Sequence, residues 1–276
     1  MKCVISAADY GMTEGITDGC IRAIRDGLLM DVGLMTNNYK YAKRAAEEVK
    51  KYPHVSVGMD VNLVSGLPAT DPGLIPSLVD ENGIFVKSVV RGARRKAGEE
   101  VQMVYEEAYL EVENQIKRFI EFFGHPPLYM NGHSYSDENS SRAIIELCRK
   151  YDIPWCEVFE KQLDIRRPKK LWYGEGGKGT DAKLAFSSAD LQKSVDVVDF
   201  LIHDKGQILD NEYTLLRMHI GYPDAELYRM STLHDVRSIE ASALCDPRFK
   251  QWVKDNQVEV ISYAQFFKER PFHWDA

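Results

Sequence analysis

Asp9, Asp60, His133 and His203 are the side chains of this 276-residue chain whose types and placement could hold a divalent cation and move a proton. Each closes a short apolar run: Cys3 to Ala8, Val55 to Met59, Leu128 to Gly132 and Val197 to Ile202. Carboxylates and imidazoles ligate divalent cations, and an imidazole also moves protons near neutral pH. Two carboxylates and one imidazole suit a divalent ion in an open site, leaving room for water or substrate, with an acid/base group alongside. Oxygen ligands tilt the preference from Zn towards Mg or Mn without deciding among the three. Each residue also has a plain structural account. Asp9 can cap the turn into the next helix, and a single histidine more often sits satisfied in a core or on a surface.

The four side chains meet only if the strands carrying them run parallel. The apolar patterning predicts strands at Cys3–Asp9, Met30–Met35, Val55–Leu63, Leu128–His133, Ile153–Cys156, Val197–His203 and Val258–Tyr263. Helical spacing fills the gaps: a helix capped by Thr13, then Tyr41–Lys51, Glu99–Phe123, Ser140–Lys150, Leu233–Ala243 and Arg248–Asp255. Strand and helix in alternation predict an α/β fold, a single barrel-like (β/α) domain over residues 1–276 with the strand ends on one rim. A loop region is inserted around 65–98, punctuated by Pro68, Pro72, Pro76 and Asn82-Gly83 and basic from Arg91 to Lys96. It reads equally as a cover over a cleft or as a solvated excursion.

Composition narrows the class. Hydrophobic residues at 44% supply a sizeable core, and a formal charge of −7 gives no general basis for nucleic-acid binding. The five cysteines are scattered without CxxC spacing, which favours buried free thiols. No apolar run is long enough for a membrane span and no leader pattern opens the chain, so a cytoplasmic protein is expected. Gly174, Gly176, Gly177 and Gly179 lack phosphate-loop spacing and read as a mobile loop.

Nearly from end to end the chain resembles the YdjC-type carbohydrate deacetylases. Ala7-Ala8-Asp9-Tyr10-Gly11 stands at the family's Ala-Asp-Asp-Phe-Gly, and Gly58-Met59-Asp60-Val61-Asn62-Leu63 at its Gly-x-His-x-Asn-Leu. Residues Pro76 to Phe85 are similar to a family loop, and Glu113 to Pro127 to the helix and turn before its Asp-Ser/Gly-His, where Asn131-Gly132-His133 falls. Ile202-His203-Asp204 is matched to the family's Cys-His-Pro segment, and Arg237, Glu240, Ser262 and Tyr263 to its Arg-x-x-Glu and closing Ser-Tyr.

The resemblance implies a distorted barrel of the polysaccharide-deacetylase kind, one divalent metal ion and removal of an acyl group from an N-acetylated sugar or similar small polar substrate. It implies Asp9, Asp60 and His133 as metal ligands, His203 as the acid for the leaving amine, and Arg237, Asn62 and Tyr135 at the substrate. Several positions depart from the pattern. The family's general base is Ala8 here, its first ligand histidine is Asp60, the Asp of its Asp-Ser/Gly-His is Asn131, and its later histidines are Tyr135 and Asp137. With Ala8 unable to take a proton, Asp60 or Asp137 is left as base. The alternative is a catalytically silent sugar-binding or regulatory paralogue, and a purely structural assembly protein explains the polar strand ends least. A small carbohydrate is the expected partner, with neither nucleic acid nor membrane, and a homodimer is left open.

Overall fold

The computed structural model describes residues 1–99, 102–172 and 189–275. The glycines from 174 to 179 lie outside them. Six parallel strands make the sheet: β1 (Lys2–Tyr10), β2 (Asp31–Leu34), β3 (Ser56–Val61), β4 (Met130–Gly132), β5 (Tyr213–Met218) and β6 (Glu259–Ile261). Their order is β4-β3-β2-β1-β5, with β6 against the start of β1. Single parallel bridges, Met130 with Trp155 and Arg166 with Thr214, extend the two edges towards one another. The result is the expected α/β barrel-like fold.

Strand alternation sorts the core into an outside and an inside. Cys3, Ile5, Ala7, Val32, Leu34, Met59, Met130, Leu216 and Met218 belong to the large hydrophobic cluster under the helices. Val4, Tyr129, Leu215, Ile261 and Tyr263, of opposite parity, pack together within the barrel. Above them the interior turns polar. Ser6 Oγ donates to Asp31 Oδ1 at 2.7 Å, and the Tyr129 hydroxyl donates to the same oxygen. Two glycines make room, since a Cβ at Gly58 would lie 2.3 Å from the Tyr129 ring and one at Gly33 2.2 Å from Asp60 Oδ1.

The first helix spans Glu14–Asp26 and Thr13 caps it, as its sequence predicts. Two expected strands are absent. Val197–Ile202 is a helix capped by Asp196, with His203 at its C-terminal end. An apolar run of that length is ambiguous, and the cap decides it. Ile153–Cys156 contributes only the Trp155 bridge before a helix over Cys156–Gln162. Conversely, β5 was not expected, because Arg217 interrupts the apolar pattern of Tyr213–Met218. All five cysteines are free, four of them buried. Among the described residues no helix is long and apolar enough to cross a membrane.

Candidate active site

Asp9 is turned out of strand alternation. Its φ is 64°, and the pairing of β1 with β2 shifts register between Ala7 and Tyr10. Such a bulge re-aims a side chain at a strand end, and aspartate tolerates the left-handed conformation better than most residues. The amide freed from the ladder donates to Asp60 Oδ2 at 2.8 Å. The carboxylate faces a cleft of about 690 Å³ that is also lined by His133, His219 and Arg237. His133 follows β4 and His219 follows β5, while Arg237 comes from the helix Asp235–Cys245.

His133 Nδ1 lies 2.7 Å from Asp9 Oδ1, and Arg237 Nη2 donates to Asp9 Oδ2 at 2.6 Å. Arg237 is 1% exposed, and its Nε donates to Leu233 O at 2.7 Å. Burial alone would raise the Asp9 pKa, but the charges of His133 and Arg237 and the His133 hydrogen bond hold it well below the usual carboxylate range. His133 is desolvated too, yet the Asp9 charge outweighs that and raises its pKa above 6.5. His219 has no such partner. Burial pushes it down to about 4, the Asp9 charge opposing and the Arg237 charge assisting. Its backbone N–H donates to Glu240 Oε2 at 2.5 Å, which fixes the residue at the strand end. Two buried nitrogens here have no hydrogen-bond partner among the described residues, His219 Nδ1 and Arg237 Nη1.

These shifts predict one neutral imidazole at neutral pH, that of His219, and one, that of His133, that keeps its proton to higher pH than an ordinary imidazole. In a proton NMR titration of the seven histidines, one resonance should titrate near 4 and vanish in His219→Gln. Another should titrate above 6.5 and vanish in His133→Gln. Two ordinary midpoints would overturn the electrostatics described here.

Asp60, expected as a third metal ligand beside Asp9 and His133, faces away from the cleft that those two line. Its parity on β3 points it into the barrel, over Gly33, and it is absent from the cleft wall. Oδ2 is taken by the Asp9 amide and Oδ1 by Asn131 Nδ2 at 3.2 Å. Asn131 Oδ1 accepts in turn from Arg217 Nη1 at 2.5 Å, and Arg217 pairs with Glu160 at 3.3 Å. Asp60 is therefore the end of a buried polar layer that closes the barrel. Among the described residues no group of three His, Cys, Asp or Glu side chains could hold a metal ion. The residues present do not fit the divalent cation expected from the sequence. The Arg237 charge adds to the misfit, since two unit charges about 4 Å apart interact by about 4 kcal/mol at an effective dielectric near 20, and a divalent ion doubles that.

Four other expectations change. His203 is exposed, its Nδ1 against the Asp199 backbone oxygen and carboxylate, and it does not line the cleft. Asn62 is consumed by a turn: Oδ1 accepts from the amides of Val64 and Ser65, both at 3.0 Å, and Nδ2 donates to Ser65 O at 2.7 Å. Tyr135 lines a smaller cavity of about 100 Å³ that shares His133 and Ser134 with the cleft, and it is not on the cleft wall itself. Asp137 caps the helix Glu138–Lys150. Part of the inserted region does wall the cleft, through Lys87, Ser88 and Val89. His219 and Arg217 were missed with β5. The signal was present, because a run of strand formers ends there in a histidine followed by Ile220-Gly221-Tyr222-Pro223.

The family model for YdjC-like proteins matches residues 2–255. The chain belongs to that family. It is 28% identical over 279 residues to carbohydrate deacetylase 2 of Listeria innocua, covering 98% of this chain and all of that one. It is 26% identical to the carbohydrate deacetylase of Thermoanaerobacter pseudethanolicus, covering 95% and 97% of the two chains. A crystal structure from Enterococcus faecalis, of a protein named for cellobiose-phosphate cleavage, superimposes with a TM-score of 0.70. Its identity is 21% over 96% of this chain and 98% of that one, a likeness of fold. His219 follows the end of β5, whereas His203 sits at the end of an outer helix.

Proposed function

We propose that this YdjC-like protein is a carbohydrate deacetylase, hydrolysing the acetamide of an N-acetylated sugar to acetate and a free amine. The observation that carries this reading is the convergence of Asp9, His133, His219 and Arg237 on one cleft of about 690 Å³, a size suited to a small sugar. Tyr228, 54% exposed on the cleft wall, offers an apolar face to a sugar ring.

Amide hydrolysis needs a base for water, a donor for the oxyanion and an acid for the leaving nitrogen. Neutral His219 takes a proton from water as its oxygen attacks the carbonyl carbon. The C–N bond then breaks as the nitrogen receives a proton from His133, which Asp9 holds in its charged form. No step is assigned to a metal ion, because the donor set for one is not assembled. The pH profile of kcat/KM should be a bell, with its acid limb near 4 from His219 and its alkaline limb above 6.5 from His133. Acetate release from a panel of N-acetylated mono- and oligosaccharides tests the activity. Sugar binding without acetate release from any of them would favour the silent paralogue.

Ala8 tests how a base is supplied. It is 6% exposed, its parity on β1 points it inward with Asp60, and it does not line the cleft. Ala8→Asp therefore adds a second carboxylate beside Asp60, whose pKa burial and the Asp9 charge already raise. Acetate release should stay flat or fall. A gain within the general-base range of about 10²–10⁴-fold would mean that position 8 reaches the attacking water.

A further inference from the structure

We propose that Arg237 is the resident cation of this site, standing against Asp9 where a divalent metal ion would otherwise be held, and that its Nη1–H is the donor to the substrate's acyl oxygen. The inference rests on the deacetylase reading for its second half only.

The Asp9 carboxylate has both oxygens committed, one to His133 and one to Arg237. Among the described residues the other acid that touches Asp9 is Asp60, which meets its amide and is turned into the barrel with Asn131 and Arg217. A cation arriving at Asp9 would meet a fixed positive charge beside it, and among the described residues no group of three His, Cys, Asp or Glu side chains is arranged to complete its shell. The guanidinium meanwhile does what the ion would do electrostatically. It neutralises Asp9 and is locked in place by the Leu233 carbonyl. Its remaining nitrogen matters most. Arg237 Nη1 is fully buried with no partner among the described residues, on a side chain that lines the cleft. A buried charged donor left unsatisfied is costly unless something fills the position. An oxygen gaining negative charge in the transition state fills it at the moment the interaction is worth most.

The decisive experiment is calorimetric titration of the wild-type protein with Zn²⁺, Mn²⁺ and Mg²⁺ salts after dialysis against chelator, beside the same titrations of Arg237→Ala and Arg237→Lys. Wild type should show no stoichiometric site dependent on Asp9. Arg237→Ala, which frees Asp9 Oδ2, should gain Zn²⁺ affinity by at least about tenfold, as removal of a unit charge within ~4 Å requires. Arg237→Lys, which keeps the charge, should not. Acetate release should be indifferent to chelator in wild type and fall about 10²–10³-fold in Arg237→Ala, as for loss of one oxyanion donor. A stoichiometric ion in wild type that Asp9→Asn abolishes would overturn the proposal even if Arg237→Ala fails to fold. If wild type excludes metal but releases no acetate from any substrate, the resident cation stands and the deacetylase reading fails. The two failures are thus separable.

Discussion

Asp9→Asn lowers the unfolding free energy by about 3–5 kcal/mol, the usual cost of removing one partner from a buried ion pair. The substitution keeps the shape and tolerates the φ of 64°, so backbone strain does not contaminate the result. What it removes is the charge facing His133 Nδ1 and Arg237 Nη2. Arg237 is 1% exposed and is left with an unneutralised guanidinium. The sign of the pH dependence follows from both partners. The depressed Asp9 pKa contributes stability above 3.8, lost as pH falls through its lower folded value. The raised His133 pKa contributes stability below 6.5, lost as pH rises through its folded value. Urea unfolding between those limits should read the full effect. Combining Asp9→Asn with Arg237→Met should recover much of it, since removing both charges spares the desolvation of either. A single-variant loss under about 1 kcal/mol, the surface-pair range, would mean the pair is far better solvated than its burial indicates.

His219→Gln should reduce acetate release by about 10²–10⁴-fold, the range for loss of a positioned general base. The backbone N–H that bonds Glu240 is untouched by the change, so β5 should keep its end. KM should move little and kcat should carry the loss, and the acid limb near 4 should leave the pH profile with the imidazole. His203 offers the contrast. Its ring is exposed at a helix end beside Asp199, so His203→Gln should leave the rate as it was. The reverse pattern would return the proton chemistry to the outer helix.

Local pattern along the chain is enough for those parts of the protein that depend on neighbouring residues alone. Alternating apolar runs and capped helices specified a parallel α/β fold, and Ala7-Ala8-Asp9-Tyr10-Gly11 marked the strand end that anchors the site. Asp9 and His133 could be paired because both close short apolar strands whose ends share a rim. Arg237 was recognisable only through the family resemblance, since nothing in its own helix distinguishes it from a surface arginine. Tertiary structure decided the rest. Whether Val197–Ile202 or Tyr213–Met218 enters the sheet is a competition between two short apolar segments. The Asp196 cap and the partners offered by β1 settle it in favour of the second, and so exchange His203 for His219. Asp60 has the right residue type at a strand end, but side-chain direction follows parity, and parity sends it into the barrel over Gly33 rather than up into the cleft. The bulge that turns Asp9 the other way leaves no mark in composition, because it is a register shift between strands far apart in the chain.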